Sequence, residues 1–129
     1  MTPDEVHHLA DEFLGAIEAA DMDSVRRIYA PDASIWHNYD QIEQTRDENV
    51  RVASWFSTRL GDLRYTERRR EIVTGGFVQQ HVLRGIAPDG TPIMVCAMLR
   101  AWCEKRDGQS VITRIEEYLD PAQAAALSR

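Results

Sequence analysis

The chain has 129 residues, 43% of them hydrophobic, which predicts one domain spanning residues 1–129 with a single core. A formal net charge of −6 argues against a nucleic-acid partner, because non-specific affinity for phosphate backbones comes from clustered Lys and Arg. No apolar stretch approaches the length that crosses a bilayer, and no basic segment leads into an apolar run at the N-terminus, so we expect a cytoplasmic protein without a membrane partner.

Three helices are predicted in the first half of the chain. Thr2–Glu5 has the spacing of a capping box and begins the first helix, whose apolar residues recur at helical spacing. Asp23 is expected to cap a short second helix, which Ala30–Asp32 stops at its proline. The pair at Thr45–Glu48 repeats the capping-box spacing and predicts a third helix ending at Gly61.

Strands are predicted on both sides of the third helix. Residues 33–38 form a short apolar and aromatic strand, and after Gly61 the period changes from helical to strand-like. Turn residues at 75–76, 88–90 and 107–108 then separate four strands, at 63–74, 77–85, 92–106 and 109–119. Strands of this length are expected to bend or bulge. Asp120 is predicted to cap a short terminal helix that begins at Pro121.

These elements predict an α+β fold. Three N-terminal helices and a long meander can bury both of their apolar faces only if a strongly curved, mainly antiparallel sheet wraps around the helices. Such a geometry encloses an apolar pocket, which is the default binding site for a small molecule.

Three segments, together with the order of elements, resemble the SnoaL-like branch of the nuclear transport factor 2-like superfamily: Tyr29 to Ala33 (YAPDA), Ile35 to Asn38 (IWHN) and Ile112 to Asp120 (ITRIEEYLD). The resemblance covers nearly the whole chain and implies a cone-shaped, cystatin-like fold. The superfamily includes ketosteroid isomerases, polyketide cyclases, limonene epoxide hydrolase and members without known activity. It implies no cofactor, a small apolar ligand and a homodimer formed through the outer face of the sheet.

The last predicted strand supplies the first candidate catalytic residue. Alternation places Glu117 with Ile115 and Leu119 on the more apolar face. If that face lines the cavity, as the resemblance implies, desolvation raises the pKa of Glu117 and suits it to general acid or base catalysis, with Leu119 as a wall. The alternative is a Glu117 carboxylate paired with an arginine at the sheet surface.

A second candidate, His81, lies in the strand at 77–85. Phe77, Gln79, His81 and Leu83 share one face, so an imidazole would stand in an apolar row. His81 could transfer a proton near neutral pH with Glu117 orienting it, while Phe77 and Gln79 would contact substrate. The alternative is a core histidine whose polar atom is satisfied by a backbone carbonyl.

The first predicted strand adds Asn38 and Trp36, which share a face that His37 does not. The resemblance to limonene epoxide hydrolases matches Asn38 to an asparagine that helps hold the attacking water, and implies that Asn38 orients water or substrate beside a Trp36 wall. Trp36 replaces a tyrosine of that motif, and Gln79 to His81 replace its Arg-x-Asp, so epoxide hydrolysis itself is not predicted.

Other polar and sulfur-containing residues do not indicate a metal site. His7 and His8 are adjacent in a predicted helix and cannot share a face, and the remaining His and Cys residues lack ligand spacing. Met98 shares a face with Met94 and Trp102 on a central strand and is predicted to line the pocket, the alternatives being core packing or a dimer interface.

Two functions from different classes fit these patterns. The first is a cofactor-independent general acid/base enzyme that isomerises, cyclises, hydrates or dehydrates a small apolar carbonyl-type molecule through Glu117, His81 and Asn38. The second is a non-catalytic dimeric domain that binds an apolar ligand or serves assembly.

Overall fold

The computed structural model of the protein describes residues 1–128. Three helices and two strands precede a four-stranded meander, and a short helical segment follows it. The helices are Pro3–Glu18 (α1), Met22–Ile28 (α2), Arg46–Arg59 (α3) and Pro121–Ala124 (α4), followed by a 3-10 helix at Ala125–Ser128. The strands are Tyr29–His37 (β1), Glu43–Thr45 (β2), Gly61–Val73 (β3), Gly76–Ile86 (β4), Pro92–Arg106 (β5) and Gln109–Leu119 (β6).

The helix starts follow local capping chemistry. Both predicted capping boxes are present, at Thr2 for α1 and at Thr45 for α3, and Asp120 caps α4. The predicted cap of α2 is wrong: Asp21, two residues before Asp23, accepts the Ser24 backbone N–H at 3.2 Å. Helix α2 ends at Ile28, before the predicted stop at Ala30–Asp32, and the chain passes directly into β1.

All six strands belong to one sheet, in the order β2-β1-β6-β5-β4-β3. Neighbouring strands are antiparallel except β1 and β6, which are parallel and join the first half of the chain to its last strand. The short strand β2 was not expected from the sequence. The long strands are bulged as predicted, with register shifts between Thr66 and Arg69 and between Trp102 and Cys103. Glu67, inside the first of these shifts, has φ 53°.

The core lies between the helices and the inner face of the sheet. Helix α1 contributes the wide apolar face expected from its sequence spacing, including Leu9, Phe13 and Ile17. The inner sheet face contributes Val95, Leu99 and other alternating apolar residues, together with buried Gln79 and His81. The α+β fold with a mainly antiparallel sheet packed against three N-terminal helices is therefore confirmed. Across residues 1–128, no helix combines the length and apolar composition that a membrane-spanning helix needs.

Candidate functional site

A cavity of about 370 Å³ lies between the inner face of the sheet, helices α1 and α3, and the C-terminal helical segment. Most of its wall is apolar, including side chains from Phe13, Ile17, Ile35, Leu83, Val95 and Leu99. Val52 and Trp55 of α3 line it as well, and they are among the exposed large hydrophobic residues of the protein. A cavity of this volume and composition suits a small apolar molecule.

The Glu117 carboxylate lies in this cavity between two imidazoles. Its Oε1 is 3.2 Å from His37 Nε2, and its Oε2 is 3.9 Å from His81 Nε2. The Glu117 side chain is 19% exposed. The alternative pairing of Glu117 with an arginine at the sheet surface is therefore not what the structure shows, and the predicted inward face of β6 is correct.

Strand pairing explains how the three groups come together. In the parallel ladder His37 is the direct partner of Glu117. His81 lies two strands away, where it pairs with Ala97, which in turn pairs with Leu119. Because the alanine side chain is a single methyl group, it leaves the His81 ring room to extend toward β6.

His81 itself is 4% exposed and is contacted from several sides. Its Nδ1 is 2.9 Å from Gln79 Nε2, and the Tyr65 ring meets the imidazole edge-on with centroids 4.8 Å apart. Burial lowers the pKa of His81, although the negative charge of Glu117 acts in the opposite direction. The buried imidazole is therefore neutral near neutral pH.

His37 is the site residue that sequence reasoning missed. It is 8% exposed, its ring tilts against that of Tyr39 with centroids 5.3 Å apart, and its buried Nδ1 has no hydrogen-bond partner among residues 1–128. Ala33, Ile35 and His37 alternate on the buried face of β1. That alternation is visible in the sequence, and following Ile35 rather than the aromatic Trp36 would have placed His37 inward.

The inward placement of Asn38 is wrong. Its side chain forms two hydrogen bonds with the backbone of Leu119: Nδ2 donates to the carbonyl oxygen at 3.2 Å, and Oδ1 accepts from the amide at 2.9 Å. The Asn38 backbone N–H also donates to the Glu117 carbonyl at 3.0 Å. Asn38 therefore holds the end of β6 and borders an open groove on the outer face of the sheet.

Two of the expected cavity walls also face outward. Trp36 packs edge-on against Tyr118, with ring centroids 5.4 Å apart, and Met98 is 47% exposed beside the same groove. Both residues have the strand parity opposite to that of the cavity residues, so the pleat directs them away from the helices.

The remaining predicted contacts divide into one wall residue and two core residues. Leu119 lines the cavity, as its parity predicts. Phe77 is buried in the core at the start of β4, where the Arg70 guanidinium lies 5.7 Å from its ring centroid. Gln79 is fully buried next to His81 and contacts that histidine rather than the cavity.

Three tyrosines line the same cavity as Glu117. Burial is the main cause that raises the pKa of Tyr29, Tyr39 and Tyr65, and the negative charge of Glu117 contributes to each. The Tyr29 hydroxyl donates to Asn49 Oδ1 at 2.8 Å. The phenols therefore remain protonated at neutral pH. Within residues 1–128, no three His, Cys, Asp or Glu side chains are grouped in a way that could hold a metal ion.

Comparison with known proteins identifies the fold. No family model matches the chain, and no curated protein is significantly similar to it. A candidate SnoaL-like polyketide cyclase from Shewanella putrefaciens superimposes with a TM-score of 0.79 at 10% sequence identity, covering 97% of this chain and 96% of that one. The chain has the SnoaL-like, nuclear transport factor 2-like fold.

Other solved structures that superimpose on this chain carry different descriptions. A protein with a ketosteroid isomerase-like fold from Catenulispora acidiphila, in complex with trimethylamine, has a TM-score of 0.72 at 15% identity and covers 99% of this chain and 94% of its own. A candidate calcium/calmodulin-dependent protein kinase II association domain from Xanthomonas campestris has a TM-score of 0.71 at 20% identity, covering 91% and 86%. The SnoaL-like fold therefore leaves the reaction to be argued from the site.

Proposed function

We propose that the protein is a cofactor-independent general acid/base enzyme of the isomerase, cyclase, hydratase or dehydratase type, acting on a small, largely apolar carbonyl compound. The observation that carries this proposal is the Glu117 carboxylate held between His37 and His81 in a mostly apolar cavity. A carboxylate and a neutral imidazole within one such cavity can remove and return a proton with little interference from water.

The two carboxylate oxygens of Glu117 lie at different distances from the two imidazoles, which favours a different role for each oxygen. His37 Nε2, at 3.2 Å from Oε1, holds the carboxylate in place. The 3.9 Å between Oε2 and His81 Nε2 is too long for a direct hydrogen bond, but an oxygen atom about 2.8 Å from each can lie between them. A water molecule fits that position in a hydration, because it can donate to the Glu117 carboxylate and accept from His81 Nε2. In an isomerisation the substrate carbonyl oxygen accepts from His81 Nε2, and the carbon next to it faces Glu117.

Proton transfer in the isomerase case follows from this arrangement. Glu117 takes the proton on the carbon next to the carbonyl, the electrons of that C–H bond form the carbon–carbon double bond of an enolate, and the carbonyl π electrons move to its oxygen. A hydrogen bond from His81 stabilises that oxygen. In a β,γ-unsaturated substrate this enolate is conjugated with the second double bond. The carbonyl re-forms, the double bond moves to the α,β position, and its γ carbon takes the proton back from Glu117, which restores the carboxylate.

The test is an exchange assay, in which α-protons of enolisable ketones and β-diketones are replaced by deuterium from D₂O and the loss is followed by NMR. We expect the protein to accelerate exchange for members of this panel that fit the cavity. Glu117→Gln removes the base and should lower the rate by about 100-fold to 10,000-fold. The matched control is Glu116→Gln, since Glu116 pairs with Arg114 at 3.0 Å, outside the cavity. If Glu117→Gln exchanged α-protons as fast as the unmodified protein, the proposal would be contradicted.

A specific observation also favours assembly through the outer face of the sheet, and we propose a homodimer there. Met94, Met98 and Tyr118 are 45%, 47% and 57% exposed on β5 and β6, and Met98 is the direct strand partner of Tyr118. The adjacent groove carries both Glu67 and Arg69, so the surface can complement a second copy of itself.

Light scattering over a concentration series tests the homodimer. We expect twice the chain mass for the unmodified protein and a shift toward monomer for Met98→Glu, which places a charge in the apolar patch. A monomer at every concentration would rule out this interface. Because the patch lies on the opposite face of the sheet from Glu117, the result is independent of the exchange assay.

A further inference from the structure

We propose that Gln79 and Arg70 are positioning residues that fix the tautomer of His81, so that its Nε2 carries the proton and faces Glu117. The consequence for catalysis rests on the proposed function. The tautomer itself is a property of the resting protein and can be measured without any substrate.

Arg70, Gln79 and His81 form a row of contacts that leads from helix α1 to the cavity. Its first member is Arg70 on β3, whose side chain is only 9% exposed. Its Nη2 lies 2.7 Å from Asp11 Oδ1 on α1, its Nη1 lies 3.2 Å from His7 Nδ1, and its Nε lies 2.8 Å from Gln79 Oε1. A guanidinium has five donors and no acceptor. Each partner atom must therefore accept, and the Gln79 oxygen is held toward Arg70.

The inner end follows from the orientation of the amide. Gln79 is completely buried, and with its oxygen toward Arg70 its NH₂ group is 2.9 Å from His81 Nδ1. An amide nitrogen only donates, so Nδ1 must accept and cannot carry a proton. Because burial lowers the pKa of His81, the ring is neutral and its single proton resides on Nε2.

This tautomer matters because of what lies on the other side of the ring. His81 Nε2 points toward Glu117 Oε2, 3.9 Å away. A protonated Nε2 attracts the carboxylate and can donate to a developing enolate oxygen, whereas the opposite tautomer would present a lone pair to both. Gln79, expected from sequence to touch substrate, therefore acts through His81, and both of its amide ends are already bonded within the protein.

The first test uses the unmodified protein labelled with ¹⁵N. Long-range ¹H–¹⁵N correlation spectra distinguish protonated from unprotonated ring nitrogens, and they are recorded above the pH at which His81 titrates. We expect His81 to show a protonated Nε2 and an unprotonated Nδ1. A proton on Nδ1 instead would overturn the proposal without any substitution.

The second test is Gln79→Glu, which replaces the donor facing His81 by a group that only accepts while keeping a partner for Arg70. We expect the proton to move to His81 Nδ1, and the kcat of α-proton exchange to fall about 100-fold with little change in KM. The control is Gln80→Glu, which adds the same charge one residue away at an exposed position beside the outer groove. It should retain both the tautomer and the rate. An unchanged tautomer in folded Gln79→Glu would refute the role of Gln79.

Arg70→Lys covers the case in which Gln79→Glu does not fold. Lysine keeps a positive charge near Asp11 but lacks the planar fork that also holds the Gln79 oxygen. We expect the amide to flip between two orientations and the spectra to show both His81 tautomers, and a single unchanged tautomer would refute the role of Arg70.

The two proposals fail in different ways. Absence of exchange by the unmodified protein across the panel contradicts the proposed function, while the NMR result still decides the tautomer. Conversely, a switched tautomer in Gln79→Glu with an unchanged exchange rate shows that the tautomer does not control catalysis, and Glu117→Gln still decides the proposed function.

Discussion

Asn38→Ala tests whether this residue is structural, as the geometry indicates, or catalytic, as the sequence suggested. The substitution removes both side-chain hydrogen bonds to the Leu119 backbone, at 2.9 and 3.2 Å. At about 0.5–1.5 kcal/mol for each bond, the expected loss in the free energy of unfolding is about 1–3 kcal/mol. With an m-value of about 2 kcal/mol/M, a loss of 2 kcal/mol lowers the urea midpoint by about 1 M.

The measurement combines urea unfolding with the exchange assay. Gln80→Ala, at an exposed position on β4, is the control for a substitution without such bonds. In the variant the backbone N–H of residue 38 still donates to the backbone carbonyl oxygen of Glu117, which keeps β6 in place. Folded Asn38→Ala should therefore keep an exchange rate close to that of the unmodified protein. A midpoint equal to that of the control would refute the structural role, and an exchange rate about 100-fold lower would restore the catalytic one.

Three further results are expected. The pKa of His81 should lie below its ordinary value of 6.5 in an NMR titration, because burial outweighs the charge of Glu117, and a pKa at or above 6.5 would contradict this. As pH falls, the unfolded chain then binds the proton before the folded protein does. The stability that His81 contributes is therefore present above about pH 6.5 and is lost as pH falls through the folded pKa. Gly15→Ala should raise the free energy of unfolding by about 0.5–1 kcal/mol in urea, because within residues 1–128 the new methyl group meets no atom within 4 Å beyond its chain neighbours and the adjacent α1 backbone; a lower free energy would contradict this. Gly76→Ala should lower the free energy of unfolding by at least about 3 kcal/mol or prevent folding, because the new Cβ would lie 1.9 Å from the Ala101 carbonyl oxygen. A variant as stable as the unmodified protein would contradict this close approach of β4 and β5.

Most of the fold was accessible from local sequence patterns. Capping boxes located the starts of α1 and α3, and the turn at Asp107 and Gly108 gave the bounds of β5 and β6 as observed. These signals involve residues close in sequence, so their physics does not depend on the rest of the fold. Strand β2 was missed because its three residues are stabilised by pairing with β1 rather than by a pattern of their own.

The candidate site was accessible only in part. Alternation grouped Glu117 and His81 with apolar residues of the same parity, and the family resemblance implied that the face carrying Glu117 lines the cavity, where both residues lie. His37 and Glu117 meet through parallel pairing of strands far apart in sequence, and no local pattern specifies that pairing. Met98 was misplaced although Val95, Leu99 and Ala101 alternate on the buried face of its strand.

The outward position of Trp36 exposes a second reason for error. Trp36 was placed in the cavity wall because the resemblance matched it to a motif tyrosine, but Trp36 packs against Tyr118 on the outer surface instead. A two-residue match is a weaker guide to facing than the parity of the whole strand, and folded surfaces retain many apolar atoms.

The parallel pairing of β1 with β6 also constrains when the polar centre can form during folding. His37 emerges early in synthesis, whereas its partner Glu117 belongs to the last strand of the sheet. Closing so long a stretch of chain requires the intervening meander to be in place, because the entropy of a long open loop opposes the contact. Recovery of α-proton exchange during refolding would therefore report completion of the sheet. A chain interrupted before β6 would keep the sequence of α1, α2 and α3 but would lack the Glu117 carboxylate of the cavity.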